Sequence, residues 1–185
     1  MPAPNPRGKL RDARIVTLIL AALVIFLDRI TKLWIIHHIR PGHARVIIPH
    51  VFRLTHVLNT GAAFSMFENS TSPATVRNLL IAFSVIAVIV VLALIWRYAR
   101  QFTLVSFSLA LILGGAIGNL YDRIRFSHVT DFLEVHIIHY HWPDFNVADS
   151  CICIGACLLL IEMLRPSTAQ RDEDCFESAP GSRCT

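Results

Sequence analysis

Phe102-Thr-Leu-Val-Ser-Phe-Ser-Leu-Ala-Leu-Ile-Leu-Gly-Gly-Ala-Ile-Gly-Asn119-Leu-Tyr121-Asp122-Arg123 is the stretch on which the fold turns. It carries no charge from Phe102 to Tyr121, then meets Asp122 and Arg123. An apolar helix crosses a bilayer in roughly 20 residues, about the length of this run. Asn119 and Asp122 are three positions apart, so a helix puts them on one face. Ionisable groups at membrane depth are costly, and they mark functional sites where they occur.

Three more segments flank this one. Leu79 to Trp96 is uncharged. Ile15 to Leu27 is apolar, and a helix can continue to Ile36 through Asp28-Arg29-Ile30-Thr31-Lys32. Val147 to Leu164 carries Asp149 in its first turn and Glu162 in its last. The expectation is an all-α membrane protein of four transmembrane helices. Composition agrees. The 185 residues are 54% hydrophobic and only 16% charged, against roughly 25% charged in an average soluble domain. A cleaved signal peptide is the rival reading of the first segment. No small-x-small site follows it, and Asp28 and Lys32 stand where one would be.

The net charge of +4 reads as orientation rather than nucleic-acid binding. Arg7, Lys9, Arg11 and Arg14 precede the first span, Arg97 and Arg100 link spans two and three, and Arg165 follows span four. The positive-inside rule then puts both termini in the cytoplasm, although Arg40, Arg45, Arg53 and Arg77 load the first outer link. Residues 1–14 form a basic cytoplasmic tail, 15–165 the four-span domain, and 166–185 a polar tail whose acids (Asp172, Glu173, Asp174, Glu177) suit disorder. Cys151, Cys153 and Cys157 lie inside span four, where thiols pack as small apolar groups. Cys175 and Cys184 lie in the tail, so no disulfide framework is implied.

The outer links carry structure of their own. Arg45 to Leu58 is rich in β-branched and aromatic residues and reads as one or two strands. Asn59-Thr60-Gly61 reads as a turn, and Ser72-Pro73 as the start of span two. Val129, Asp131, Leu133 and Val135 share one face of a possible strand. His136, His139 and His141 precede Trp142 without a His-Glu-x-x-His pattern, which suits an interfacial belt better than a metal site.

With cytoplasmic termini, Asp28, Lys32, Asn119, Asp122, Asn146 and Asp149 all fall at one outer-leaflet level, joined by Asn59 and Asp131 from the outer links. Each has a plainer reading. Asp28 and Lys32 could be an i,i+4 pair, Asp122 and Arg123 an interfacial ion pair, Asp131 a solvated loop acid, and Asn146 and Asp149 a helix cap. Two aspartates in a low-dielectric pocket cannot both ionise easily, so one keeps a proton while the other acts as a base. Such a pair activates water and protonates a leaving amine without metal or cofactor. Asp28, Asp122, Asp131 and Asp149 are the candidates, and spacing does not choose among them. A proton-coupled transporter or channel, or a non-catalytic assembly subunit, uses the same acids differently. Transport favours acids at the midplane in repeated or broken helices, and no repeat is visible.

Five strings in order decide the family resemblance: Asp28-Arg-Ile-Thr-Lys32, Asn59-Thr-Gly-Ala-Ala-Phe64, Gly115-Ala-Ile-Gly-Asn119-Leu-Tyr-Asp122-Arg123, Val129-Thr-Asp131-Phe132 and Phe145-Asn146-Val-Ala-Asp149-Ser150. Together they resemble lipoprotein signal peptidase, or signal peptidase II. The resemblance implies a four-span aspartic endopeptidase of the bacterial inner membrane. Such an enzyme cuts prolipoproteins before a diacylglyceryl-modified cysteine. It also implies Asp131 and Asp149 as the catalytic dyad, with Asp28, Lys32, Asn59, Gly61, Asn119, Asp122, Arg123 and Asn146 shaping the site. A small β-cradle in the first outer link is expected. So are prolipoprotein and membrane-lipid partners, no nucleic acid, no cofactor, and a monomer. Two departures stand out: Ser127, where family members often have glycine, and Asp144, an extra acid near Asp149. Phe64, Met66 and Phe67 are apolar residues in an outer link and are expected to cover the site.

Overall fold

The structure, a computed structural model, describes residues 12–61, 73–137 and 140–165. Its elements follow the chain as α1 (Arg14–His38), β1 (Ala44–Ile48), β2 (Phe52–Asn59), α2 (Pro73–Tyr98), α3 (Leu104–Phe126), β3 (Val129–Ile137), β4 (Tyr140–Phe145) and α4 (Val147–Met163). By length and composition α2 and α3 qualify as membrane spans. The helices wear apolar side chains outward: Ile15, Leu23 and Phe26 on α1, Phe83 and Ile89 on α2, and Ile154 and Leu160 on α4 are all exposed.

α3 is the central helix and packs on α1, α2 and α4. Small residues permit the approach, as expected where lipid removes the hydrophobic drive between helices. A Cβ on Gly118 would stand 2.8 Å from Asp28 Oδ2, and one on Gly115 would run into the Ala148 carbonyl of α4. Ala21, Val91, Ile95, Ala99, Leu109 and Leu113 form the core among α1, α2 and α3. The start of α3 is fixed by a capping box, Thr103 with Ser106. The helix runs past the uncharged stretch to Phe126, because Asp122 finds cationic partners within the bundle.

The strands form one antiparallel sheet in the order β1-β2-β3-β4. The expected strands at 45–58 are present as β1 and β2. The sheet is not confined to the first link, however. β3 pairs with β2 (Leu54 opposite Leu133, Val57 opposite Asp131), and β4 pairs with β3. β4 was not expected, since its Tyr-His-Trp-Pro run reads as an interfacial belt. Pro143 is tolerated there because β4 is an edge strand. Phe132 packs on Ile35 and Ile39 of α1, seating the sheet on the ends of α1 and α4.

Ser127 ends α3 with φ of 67°, in the left-handed region. That conformation favours glycine, which accounts for the glycine expected at this position; Ser127 adopts it despite its Cβ. Its hydroxyl accepts from Arg77 Nη1 at 2.9 Å. Ser127→Gly should stabilise the fold by about 0.5–1 kcal/mol net of that bond, read as a rise in the thermal midpoint of the protein in detergent.

Candidate active site

The site is built on a buried cation. Lys32 is 0% exposed. Its Nζ lies 2.8 Å from Asp28 Oδ2 and 2.8 Å from Asp122 Oδ2, and donates to Asn119 Oδ1 at 3.1 Å. The ammonium is thus flanked by two carboxylates as charge partners and hydrogen-bonded to one amide oxygen. Arg29 Nη1 donates to Asp122 Oδ1 at 3.1 Å, so two cations balance two carboxylates. Asp28 Oδ1 also accepts from the Ala148 backbone N–H at 3.0 Å, satisfying an otherwise orphaned donor of α4's first turn.

The other two aspartates are held differently. Asp131 Oδ2 accepts from Asn59 Nδ2 at 2.8 Å and its Oδ1 from Asn146 Nδ2 at 2.6 Å. Asp149 Oδ1 accepts from Asn119 Nδ2 at 2.7 Å. Asn146 and Asp149 close a capping box on α4: Asp149 N–H donates to Asn146 Oδ1 at 2.9 Å, and Asn146 N–H donates to Asp149 Oδ2 at 3.3 Å. Asn146 therefore touches both acids. Asn59 is fixed in turn, because its Oδ1 accepts from Gly61 N–H at 2.9 Å.

The four candidate aspartates thus sort into two kinds. Asp28 and Asp122 are neutralised by Lys32 and Arg29. Asp131 and Asp149 are gripped by neutral asparagine amides. Asp131 is 2% exposed. Burial above all, and then the nearby charge of Asp149, pushes its pKa up to about 7, against the opposing pull of the Asn59 and Asn146 amides. The fields of Asp149, Asp131 and Asp122 all act on the Arg123 guanidinium. A pair of this kind can hold one proton between two acids and work on a water molecule.

Residues 20–165 match the family model described as signal peptidase (SPase) II. The chain belongs to the signal peptidase II family. It is similar to the lipoprotein signal peptidase of Solibacter usitatus, 42% identical over 146 residues, covering 79% of this chain and 88% of that protein. The lipoprotein signal peptidase of Pseudomonas putida is 42% identical over 170 residues, covering 90% and 96%. A solved structure described as a bacterial membrane enzyme aligns with a TM-score of 0.72 at 25% identity, covering 91% of this chain and 94% of that one. As a signal peptidase II family member, this chain is a membrane protease.

The structure brings Asp28, Lys32, Asn59, Gly61, Asn119, Asp122, Asp131, Asn146 and Asp149 into one bonded network, with Arg123 in its field. Two readings that the sequence left open are decided. Asp122 pairs with Lys32 and Arg29 across helices rather than with its neighbour Arg123, because a side chain reaches the opposing helix more directly than it reaches the next residue round its own. Asp144 turns to the sheet instead of to Asp149. It accepts the Thr55 hydroxyl, and burial pushes its pKa up beside Glu134 and Arg53. His136 also joins that sheet cluster, 3.0 Å from Glu134 and with its ring 4.2 Å from that of His141 at a tilt of 55°. Phe64, Met66, Phe67 and His139 lie outside the described residues. Sequence reasoning missed Arg29 and the Ala148 N–H. The one available signal was that α4's first turn needs acceptors for its free N–H groups.

Removing Lys32 leaves two buried carboxylates with one cation between them. Lys32→Met should cost about 3–5 kcal/mol of stability. Pairing it with Asp28→Asn should restore part of that loss, as a double-mutant cycle in detergent unfolding would measure.

Proposed function

We propose that Asp131 and Asp149 are the catalytic dyad of an aspartic endopeptidase that removes signal peptides from prolipoproteins, cutting before the diacylglyceryl-modified cysteine. The observation that carries this is the sorting of the aspartates: only these two are bound by neutral amides and free of direct ion pairs among the described residues. Asp149 is the base. It sits in the first turn of α4, where the helix dipole favours an anion, with the charges of Lys32 and Arg123 nearby. Asp131 keeps the proton, because burial and the Asp149 charge oppose its ionisation.

Asp149 takes a proton from water as the oxygen attacks the scissile carbonyl carbon. Asp131 donates its hydrogen bond to the carbonyl oxygen, where negative charge develops. The tetrahedral intermediate collapses as the proton held by the dyad passes to the departing cysteine amine. No metal or cofactor takes part. Asn59, Asn119 and Asn146 fix both carboxyl groups, so little reorganisation accompanies proton transfer. Gly61 holds Asn59, and Asp28, Lys32, Asp122 and Arg123 hold the frame.

We further infer that α1 and α4 cross the bilayer with α2 and α3. The charges of α1 are neutralised inside the bundle, and α4 at ~1.5 Å per residue is about 26 Å long. The site then lies near the outer leaflet of the bacterial inner membrane, both termini are cytoplasmic, and residues 15–165 form a single domain acting as a monomer between the tails 1–14 and 166–185. Substrate acyl chains can stay in lipid while the peptide bond reaches the interface.

Cleavage of a lipidated precursor by purified protein is the decisive measurement. Asp131→Asn and Asp149→Asn should each lower the rate at least ~10³-fold; near-native turnover by either folded variant would falsify the dyad. A chelator should leave the rate unchanged. Because Asp131 must be protonated and Asp149 ionised, kcat/KM should be bell-shaped, falling above about pH 7 as Asp131 loses its proton and falling again in acid as Asp149 gains one. Asn59→Ala removes an amide that favours ionised Asp131. Its basic limb should therefore move to higher pH, which a merely structural loss would not produce.

A further inference from the structure

At the end of the bundle away from the aspartates, the start of α1 and the end of α2 border an open, shallow cavity of about 560 Å³ lined by Arg14, Trp96, Arg97, Tyr98 and Arg100. Arg14 is fourteen positions before Asp28, so the cavity lies about 21 Å along α1 from the proposed active site. We propose that this cavity binds the phosphodiester headgroup of an anionic phospholipid.

The argument starts from charge. Three arginines meet there, and among the described residues the acid contacting them is Asp12, 3.5 Å from Arg14 Nη1, half of whose side chain faces solvent. Even with that pair counted as neutral, two positive charges remain. A phosphodiester is the complementary group, since guanidinium forks match two of its oxygens. The site is also shaped. The Arg14 guanidinium sits over the Trp96 ring, 4.3 Å from its centroid, while its Nη2 donates to the Trp96 carbonyl at 2.5 Å. These contacts hold the guanidinium in one orientation. Its Nε is buried and has no hydrogen-bond partner among the described residues, so a donor is left for a ligand oxygen. Ala13 N–H donates to the Arg100 carbonyl at 3.3 Å, tying the two helix ends together. Arg97 and Arg100 remain exposed at the mouth.

The aromatic residues specify a lipid rather than a free anion. Trp96 is 70% exposed and Tyr98 54%, large rings of the kind that settle at the headgroup level. The apolar faces of α1 and α2 continue from the cavity into the bilayer, where acyl chains attached to the phosphate would lie. Basic pockets between helix ends take anionic headgroups in this way. Placing the lipid in the cytoplasmic leaflet rests on the topology proposed above; the binding itself does not.

The test uses full-length protein in zwitterionic phosphatidylcholine nanodiscs, with thermal midpoint and Trp96 fluorescence read as phosphatidylglycerol is mixed in. Phosphatidylglycerol should raise the midpoint and perturb the fluorescence in a saturable way. Inorganic phosphate at equal charge should do neither. Arg97→Gln and Arg100→Gln, both exposed and remote from the dyad, should each weaken the lipid response about fivefold, and a Trp96→Phe control assigns the optical signal. Arg125→Gln, a basic residue at the opposite end of the bundle, should leave the response intact. The proposal is overturned if phosphatidylglycerol gives no response, if inorganic phosphate reproduces it, or if the Arg97/Arg100 double variant retains it. Peptidase turnover is not the readout, so failure here leaves the dyad assignment standing, and failure of the dyad leaves this site standing.

Discussion

A fully buried ammonium has to be surrounded by acceptors and opposite charge, and Lys32 finds them on two helices at once. Asp28 comes from its own helix, Asp122 and Asn119 from α3. Through Asp28 the same charge reaches the first turn of α4. Any relative slide of α1, α3 or α4 would break one of these contacts and strand a charge where no water can replace it. The ion network therefore does for this bundle what a hydrophobic core does for a soluble one, in a solvent that gives helices little reason to cohere.

The network can close only because the helices approach unusually near. Gly118 lets the Asp28 carboxylate lie directly against α3, and Gly115 lets the Ala148 carbonyl do the same from α4. Backbone proximity comes first and hydrogen-bond geometry follows. Asn119 then sits one residue beyond Gly118, able to accept from Lys32 and donate to Asp149 with the two ends of a single amide. The frame that carries charge and the pair proposed to carry chemistry thus share an asparagine.

Much of this could be read in the chain. The apolar run from Phe102 to Tyr121, broken by Asn119 and Asp122, indicated a membrane helix with a polar face. Alternation at Val129, Asp131, Leu133 and Val135 indicated β3. What could not be read was partnership. Four aspartates looked alike in sequence, because neither spacing nor periodicity says which acid meets a cation and which meets an amide. Asp122 stands next to Arg123 in the chain and pairs with Lys32 and Arg29 in space. β4 was hidden because its Tyr-His-Trp-Pro-Asp-Phe composition suits a membrane interface as well as an edge strand, and only pairing with β3 decides between them. Asp144 looked like a neighbour of Asp149, but the sheet turns its side chain toward Thr55.

Asn146 has an implication beyond geometry. It starts α4, the last helix among the described residues, and contacts both Asp131 and Asp149, so the proposed pair can be held in place only after α4 has been made and inserted. If that pair does the cutting, a molecule without α4, still emerging into the bilayer, would lack a competent centre. Insertion of α4 and activation would then be one event.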